Sequence, residues 1–488
     1  MTTSASKVIS GMGWRFGERI CARLVTFVVT VVLARLLEPA TFGTVALISV
    51  FTSLLSVFVQ CGFGSALVQK KNADELDFSS VFYFNLFSCS ILYLILFLCA
   101  PAIGSFYGRP EIVGMTRVAG LSLLIYGVKA IQSMYVSRNL LFRKFFYSTL
   151  GGTIFSAFVG IYMAYHGYGA WALIAQHVSN EFIDTFILWF TISWRPKLIY
   201  SLSRLAGLAA YGWKILVSGL LDTLYKEIRQ LIIGKFYTAS DLAFYNKGNA
   251  LPNLIINNIA SSIDSVLFPV MSKAQDDVQI LRSMVRRSIK TSTYLLMPLM
   301  AGLAVCAEPL IRLLLTDKWL PCVFFLRIFC ITYCFYPVHT ANLNAIKALG
   351  RSDLFLYLEI AKKVVGLILL VSTMFISVRA MALSLLLSSV LGQLINSWPN
   401  RKLLNYSYFD QLLDMLPQIS LSLAMALAVY GVQFLGLNDW LTLGLQIPLG
   451  AAVYLGGSWL FRLEAFQYLV ELARRTLKAR RGSAPSET

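Results

Sequence analysis

The sequence predicts an all-α, polytopic membrane protein of about 14 transmembrane helices, arranged as two pseudo-symmetric six-helix bundles plus two extra C-terminal helices. Three observations carry that expectation. The chain is 57% hydrophobic and only 14% charged, with a mean hydropathy of +0.68; apolar runs of bilayer-spanning length recur along it; and its basic residues collect in alternate connections. A soluble globular class is excluded by the composition alone.

Charged residues, prolines and glycines cut the chain into expected spans at 11–37, 43–69, 80–107, 112–137, 147–165, 169–194, 207–235, 244–272, 288–316, 320–346, 354–377, 380–400, 413–435 and 439–461. With the N-terminus inside, 26 Lys and Arg fall on the inner side against eight outside, so both termini are expected in the cytoplasm. The same bias accounts for most of the net charge of +18 and leaves no need for a nucleic-acid partner. Neither a cleavable leader ahead of the first span nor a lipidation motif in place of the spans is expected.

Residues 1–200 are expected to form the N-terminal bundle and 201–402 the C-terminal one, followed by two further spans over 403–462 and a basic, amphipathic cytoplasmic tail over 463–488. The division rests on a repeat. Spans 1–2 superpose on spans 7–8 with a constant shift of 200 residues, which places Leu33, Arg35 and Phe42 over Ile233, Lys235 and Leu242. Six intervening spans make both copies run in the same direction, so a central cleft suited to alternating access is expected between the bundles.

Chemistry-bearing motifs are few. Eight cysteines lack metal spacing and are expected to be small buried hydrophobes, while three histidines give little material for a metal site or a triad. Gly234-Lys235 is followed by Phe236 and fails the phosphate-loop pattern, so neither ATP hydrolysis nor any cofactor or metal is expected.

Charges at membrane depth are the informative feature. In WRFGERICAR (14–23), Arg15, Arg19 and Arg23 fall within about 80° of helical arc and Glu18 adjoins them. In span 7, Lys214, Asp222, Lys226 and Arg229 share about 120°. A charge at the bilayer centre costs about 2.5–3.5 kcal/mol, so such stripes are expected to face a hydrated cavity or each other. Lys129, Glu181, Asp184, Asp264, Arg327, Glu359, Lys362 and Lys363 are candidates for the same cavity. Plainer readings stand beside these: Arg15 near the inner end can snorkel, and Asp222–Lys226 at four residues' spacing can be a clasp. Excess positive charge in a cleft calls for an anion, and arginine's planar fork suits phosphate oxygens. The substrate-binding candidates are Arg15, Arg19, Arg23, Lys129, Lys214, Lys226, Arg229 and Arg327.

The segments VVLARLLEPATFGTVALISVFTSLLSVFVQCGFGSALVQKK (31–71), FYNKGNALPNLIINNIASSIDSVLFPVMSKAQDD (244–277) and EPLIRLLLTDKW (308–319) resemble Wzx-type polysaccharide flippases of the colanic-acid-exporter kind. Those belong to the multidrug/oligosaccharidyl-lipid/polysaccharide exporter superfamily. The resemblance implies transfer of undecaprenyl-pyrophosphate-linked oligosaccharide across the bacterial inner membrane, with the cationic residues of spans 1 and 7 holding the pyrophosphate. It also implies Glu18, Asp222 and Asp264 as candidates for ion coupling, and a polysaccharide polymerase and chain-length regulator as partners. Two other classes are the alternatives. A multidrug exporter of cationic compounds would favour an acidic cavity, and a membrane polymerase or ligase would need a large external loop that the spans do not leave.

Overall fold

The computed structural model describes residues 5–60, 67, 73–471 and 474; at 5–13, 15, 16, 19, 60, 208–211, 260–262 and 264–266 it describes no side chain. Helices fill almost all of this. They are α1 (Ala5–Leu36), α2 (Pro39–Gln60), α3 (Glu75–Tyr107), α4 (Ile112–Arg138), α5 (Phe142–Tyr165), α6 (Ala170–Thr191), α7 (Leu202–Phe236) and α8 (Ala239–Lys273). The chain continues through α9 (Val278–Val305), α10 (Ala307–Leu315), α11 (Cys322–Cys334), α12 (Tyr336–Ala348), α13 (Ser352–Thr373), α14 (Val378–Leu403), α15 (Tyr408–Gly431) and α16 (Asp439–Leu460).

Every expected span falls, as far as its residues are described, on one of these helices or on a consecutive pair; the part of span 43–69 beyond Gln60 lies outside the described residues apart from Leu67. The span at 288–316 is α9 and α10 bent by 65°, and that at 320–346 is α11 with α12. Among the described residues eight segments are apolar and long enough to cross a membrane on those grounds alone, nine if the bent pair is one span. Helices α1, α6, α7, α8 and α13 fall outside that set, because charged residues, joined in α6 and α8 by asparagines and other polar side chains, interrupt their apolar windows.

Local chemistry fixes the helix ends. Asp74 accepts from the Asp77 amide at 2.9 Å and Asp77 accepts from the Asp74 amide at 3.2 Å, a reciprocal cap that starts α3. The linker after α6 is tied to that start: the Lys197 and Ser201 amides donate to the hydroxyls of Ser79 and Ser80 at 3.1 and 3.0 Å. Arg204 reaches Asp74 and Asp77 at 3.5 Å, and Lys197 pairs with Glu75. Residues that the charge bias assigns to the inner side thus meet at one end of the helices. At the other end of these helices Lys235, at the end of α7, donates to the Phe106 carbonyl.

The repeat is visible in the helix boundaries. α1 ends at Leu36 and α2 begins at Pro39, while α7 ends at Phe236 and α8 begins at Ala239, which preserves the shift of 200. Leu33 and Ile233, paired by that shift, are 1% and 0% exposed. The six helices α1–α6 are matched in order by α7, α8, the α9–α10 pair, the α11–α12 pair, α13 and α14.

Packing divides the chain into residues 1–243 and 244–488, a boundary inside α8. The packing line lies later than the expected line at 200/201 because α7 packs on α2 and α3. In the first unit α5 packs on α1 and α6, and α3 on α4. In the second, α9 packs on α15 and α11, and α14 on α11, α12 and α13.

Close approach within the first unit depends on glycine. A Cβ on Gly43 would lie 1.8 Å from the Ala239 carbonyl oxygen, and one on Gly234 would lie 2.1 Å from the Leu47 side chain. Gly43→Ala is expected to cost about 1–3 kcal/mol through overpacking. A lower unfolding midpoint in detergent would register it; an unchanged midpoint would show that the two backbones part freely.

The outer surface is apolar, as lipid requires. Phe87, Ile91, Leu94 and Leu98 form an exposed stripe on α3, and Trp440 and Trp459 stand exposed near opposite ends of α16, where interfacial anchors belong. Among the described cysteines none is paired: five are buried, Cys21 is half-buried and Cys99 is exposed.

Candidate functional site

The first unit contains a cavity of about 490 Å³ between α2, α4 and α6. Its polar lining has a simple origin in sequence: Ser49, Thr52, Ser53 and Ser56 recur at helical spacing and place hydroxyls on one face of α2. Their hydrogens are partly spent on the helix itself, Ser49 donating to the Val45 carbonyl at 2.8 Å and Ser56 to that of Ser53 at 2.8 Å. Acceptor lone pairs remain for a hydroxylated guest. Ser122 and Tyr126 on α4 and His177 and Glu181 on α6 complete the polar wall.

Glu181 belongs to a buried cluster at the cavity's edge. Lys129 of α4 lies 3.0 Å from Glu181 Oε2 and 2.6 Å from Asp184 Oδ2, with side chains 13%, 21% and 9% exposed. Three residues' spacing puts both acids on one face of α6, where a single ammonium reaches both. Lys129, expected to greet an anion, has its charge matched by these two acids.

The other expected site residues are distributed as follows. Arg15, Arg19 and Asp264 fall outside the residues whose side chains are described. Glu18 is 8% exposed while Arg23 on the same helix is exposed. α1 is held to α5 by Trp14, whose ring centroid is 5.3 Å from that of Phe146 and lies 5.5 Å beneath the Arg143 guanidinium. On α7, Lys214 is exposed, and Lys226 pairs with Asp222 at 2.7 Å on a partly exposed face where such a pair contributes little. Arg229 differs: its Nε is buried and has no hydrogen-bond partner among the described residues. A guanidinium N–H left unmatched costs free energy that an incoming phosphate oxygen would recover.

Arg327, in the second unit, donates from Nε to the Ala304 carbonyl at 3.2 Å and lies 4.0 Å from Glu308, which ties it to the α9–α10 elbow. Lys362 is bound to Glu359 at 2.5 Å. The structure therefore groups Lys129 with Glu181 and Asp184, and Lys226 with Asp222; Arg327 stands apart in the second unit.

Sequence reasoning missed two polar groupings in that unit. Asn342 of α12 donates to Ser397 of α14 at 3.2 Å and to Gln411 of α15 at 2.7 Å, while Asn400 donates to Asn342 Oδ1 at 2.6 Å. At the end expected inside, Arg286 of α9 grips Asp414 of α15 with Nε at 2.8 Å and a terminal nitrogen at 2.7 Å. Lys290 joins Asp414 at 3.2 Å and Glu464 at 2.6 Å. The hydrogen bond to Lys290 is the largest influence holding the Glu464 carboxyl below its ordinary range. These groups fasten α15 and the segment after α16 to the second bundle. Their partners lie 55–174 positions apart, a distance at which local pattern carries no signal.

The molecule resembles known proteins over most of its length. The Teichuronic acid biosynthesis protein TuaB of Bacillus subtilis (strain 168) is 23% identical over 467 residues, covering 93% of this chain and 96% of that one. The Lipopolysaccharide biosynthesis protein WzxC of Escherichia coli (strain K12) is 20% identical over 353 residues, 71% of each chain. Among solved structures, the inward closed conformation of the lipid II flippase MurJ superposes with a TM-score of 0.73 at 17% identity, covering 95% of this chain and 100% of the other, a likeness of fold. A multidrug resistance MATE family transporter of the MOP superfamily, in an inward-facing conformation, follows with 0.61 at 14% identity, covering 79% of this chain and 94% of that one. The family described as polysaccharide biosynthesis protein matches residues 32–324, well over half of the sequence, and the chain belongs to it.

Proposed function

We propose that the protein is a flippase that carries an undecaprenyl-pyrophosphate-linked oligosaccharide from the cytoplasmic to the periplasmic leaflet of a bacterial inner membrane, by alternating access, with both termini cytoplasmic. The observation that carries this reading is the unmatched, buried Nε of Arg229 on the charged stripe of α7, in a multi-pass member of a polysaccharide biosynthesis family. Crossing hydrocarbon unaided would strip water from the sugars and the pyrophosphate, at several kcal/mol for each polar group left without a partner. A hydrated path lined with hydroxyls and guanidinium groups replaces those lost hydrogen bonds and leaves the polyprenyl tail in lipid.

Arg15, Arg19, Arg23, Lys214, Lys226 and Arg229 are proposed to hold the pyrophosphate, and the cavity between α2, α4 and α6 the hydroxylated portion of the cargo. Arg327 is proposed as a further contact in the second unit. Glu18, Asp222 and Asp264 are the proposed ion-coupling acids on α1, α7 and α8. The reading is of a transporter with no covalent step, working with a polysaccharide polymerase and a chain-length regulator as separate partners. Names of relatives support this: a curated protein from Rhizobium meliloti (strain 1021), 26% identical over 319 residues, is the Succinoglycan biosynthesis transport protein ExoT.

The test is leaflet exchange of a fluorescent polyprenyl-pyrophosphate oligosaccharide in proteoliposomes. Added protein is expected to accelerate exchange above that of empty vesicles, and exchange at the empty-vesicle rate would overturn the proposal.

A further inference from the structure

The lining of the α2–α4–α6 cavity is richer in acceptors than in donors. Four of its hydroxyls have their hydrogens drawn back onto their own helices: Ser49 donates to the Val45 carbonyl at 2.8 Å, Thr52 to that of Ser49 at 3.1 Å, Ser56 to that of Ser53 at 2.8 Å and Ser122 to that of Ala119 at 2.7 Å. Serine and threonine inside a helix commonly bond the preceding turn in this way. A hydroxyl whose hydrogen is spent keeps its lone pairs, so each of these groups offers a guest an acceptor.

Glu181 extends the same character onto α6. It lines the cavity and bonds Lys129 through Oε2 at 3.0 Å, while its other oxygen has no partner among the described residues. Lys129 does not reverse the balance, because its ammonium is shared between Glu181 and Asp184, the latter 2.6 Å away. His177 stands one turn from Glu181 on the same face of α6, so an acidic guest drawn to its ring meets the carboxylate as well.

Such a wall selects its guest by what the guest can donate. A neutral pyranose brings a donor on every free hydroxyl, and Phe42 and Tyr126 supply aromatic surface for its C–H faces. A sugar that carries a carboxylate brings an acceptor and a negative charge in place of a donor. It leaves lone pairs facing lone pairs where water has been displaced, and sets like charges side by side. At about 490 Å³ the cavity has the size of a small-molecule site, so it takes part of a saccharide and not a polymer.

We infer that this cavity is a subsite for an uncharged, hydroxyl-rich sugar of the lipid-linked saccharide, and that Glu181 sets its discrimination against acidic sugars. The inference deepens the transport reading and rests on it. The cargo is then divided by chemistry: its pyrophosphate goes to the cations of α1 and α7, and a neutral sugar goes to the acceptor wall of α2, α4 and α6.

The test is leaflet exchange in proteoliposomes of two fluorescent polyprenyl-pyrophosphate disaccharides that differ only in bearing hydroxymethyl groups in one and carboxylates in the other. Above the empty-vesicle rate and at sub-saturating lipid, the wild type is expected to exchange the neutral lipid about 10- to 100-fold faster than the acidic one. Glu181→Gln puts a donor amide where an acceptor oxygen stood, while Asp184 keeps Lys129 paired, and the ratio is expected to fall towards parity. Thr52→Val, which deletes one acceptor of the wall and keeps its shape, is expected to slow the neutral lipid without slowing the acidic one. An unaltered elution volume confirms folding, and a ratio taken within one preparation is not moved by a partial loss of active protein. Equal rates in the wild type, or a faster acidic lipid, overturn the inference and leave the flippase standing, as does a ratio unchanged in both variants. Exchange of neither lipid above the empty-vesicle rate overturns the flippase itself.

Discussion

Lys129→Ala is expected to be the most destabilising single substitution on α4, at about 3–5 kcal/mol, the range for breaking a buried ion pair from one side. The change removes little apolar area. Its cost comes from Glu181 and Asp184, left facing each other with no cation, at 21% and 9% side-chain exposure. The expected signature is a lower unfolding midpoint in detergent. Lys129→Ala combined with Asp184→Asn should recover part of the loss at neutral pH. A midpoint equal to wild type in the single variant would mean that water reaches these acids freely.

Arg229→Ala is expected to weaken capture of a polyprenyl-pyrophosphate by about 10- to 100-fold, equivalent to losing one charge-assisted hydrogen bond of about 1.5–3 kcal/mol. Leaflet exchange at sub-saturating substrate should fall by a similar factor. Arg229→Lys is expected to be intermediate, since an ammonium keeps the charge but loses the two-pronged fork. Folding should be preserved in both, because the buried Nε has no partner to lose among the described residues. Exchange in Arg229→Ala equal to wild type would remove this residue from the pyrophosphate path and leave the task to the other cations of α1 and α7.

The fold was largely legible in the sequence because a bilayer constrains it so strongly. Length, apolarity and the distribution of Lys and Arg placed the spans on helices, and the 200-residue shift recurs in two helix breaks, at Leu36 with Pro39 and at Phe236 with Ala239, which the cuts at 37/43 and 235/244 placed only approximately. The cuts did not reveal the 65° bend between α9 and α10, although Pro309, which cannot donate to the Val305 carbonyl across the break, lies in the first turn of α10. Site residues were legible by type and less so by partner. The i,i+4 rule anticipated the Asp222–Lys226 clasp. It could not anticipate Lys129 with Glu181, 52 positions apart, nor the cavity, because serine and threonine in an apolar helix are as compatible with packing as with a guest.

The amide knot of Asn342, Asn400 and Gln411 has a consequence for biogenesis. Helices enter the bilayer in chain order, and α12 and α14 can join through Asn342 and Asn400 as soon as both are inserted. Gln411 arrives last, bringing its own amide to an acceptor that has been waiting in hydrocarbon. The final hairpin thus acts as a keystone: until the ribosome releases it, the second half is a loosely held intermediate that membrane chaperones and quality-control proteases would meet first.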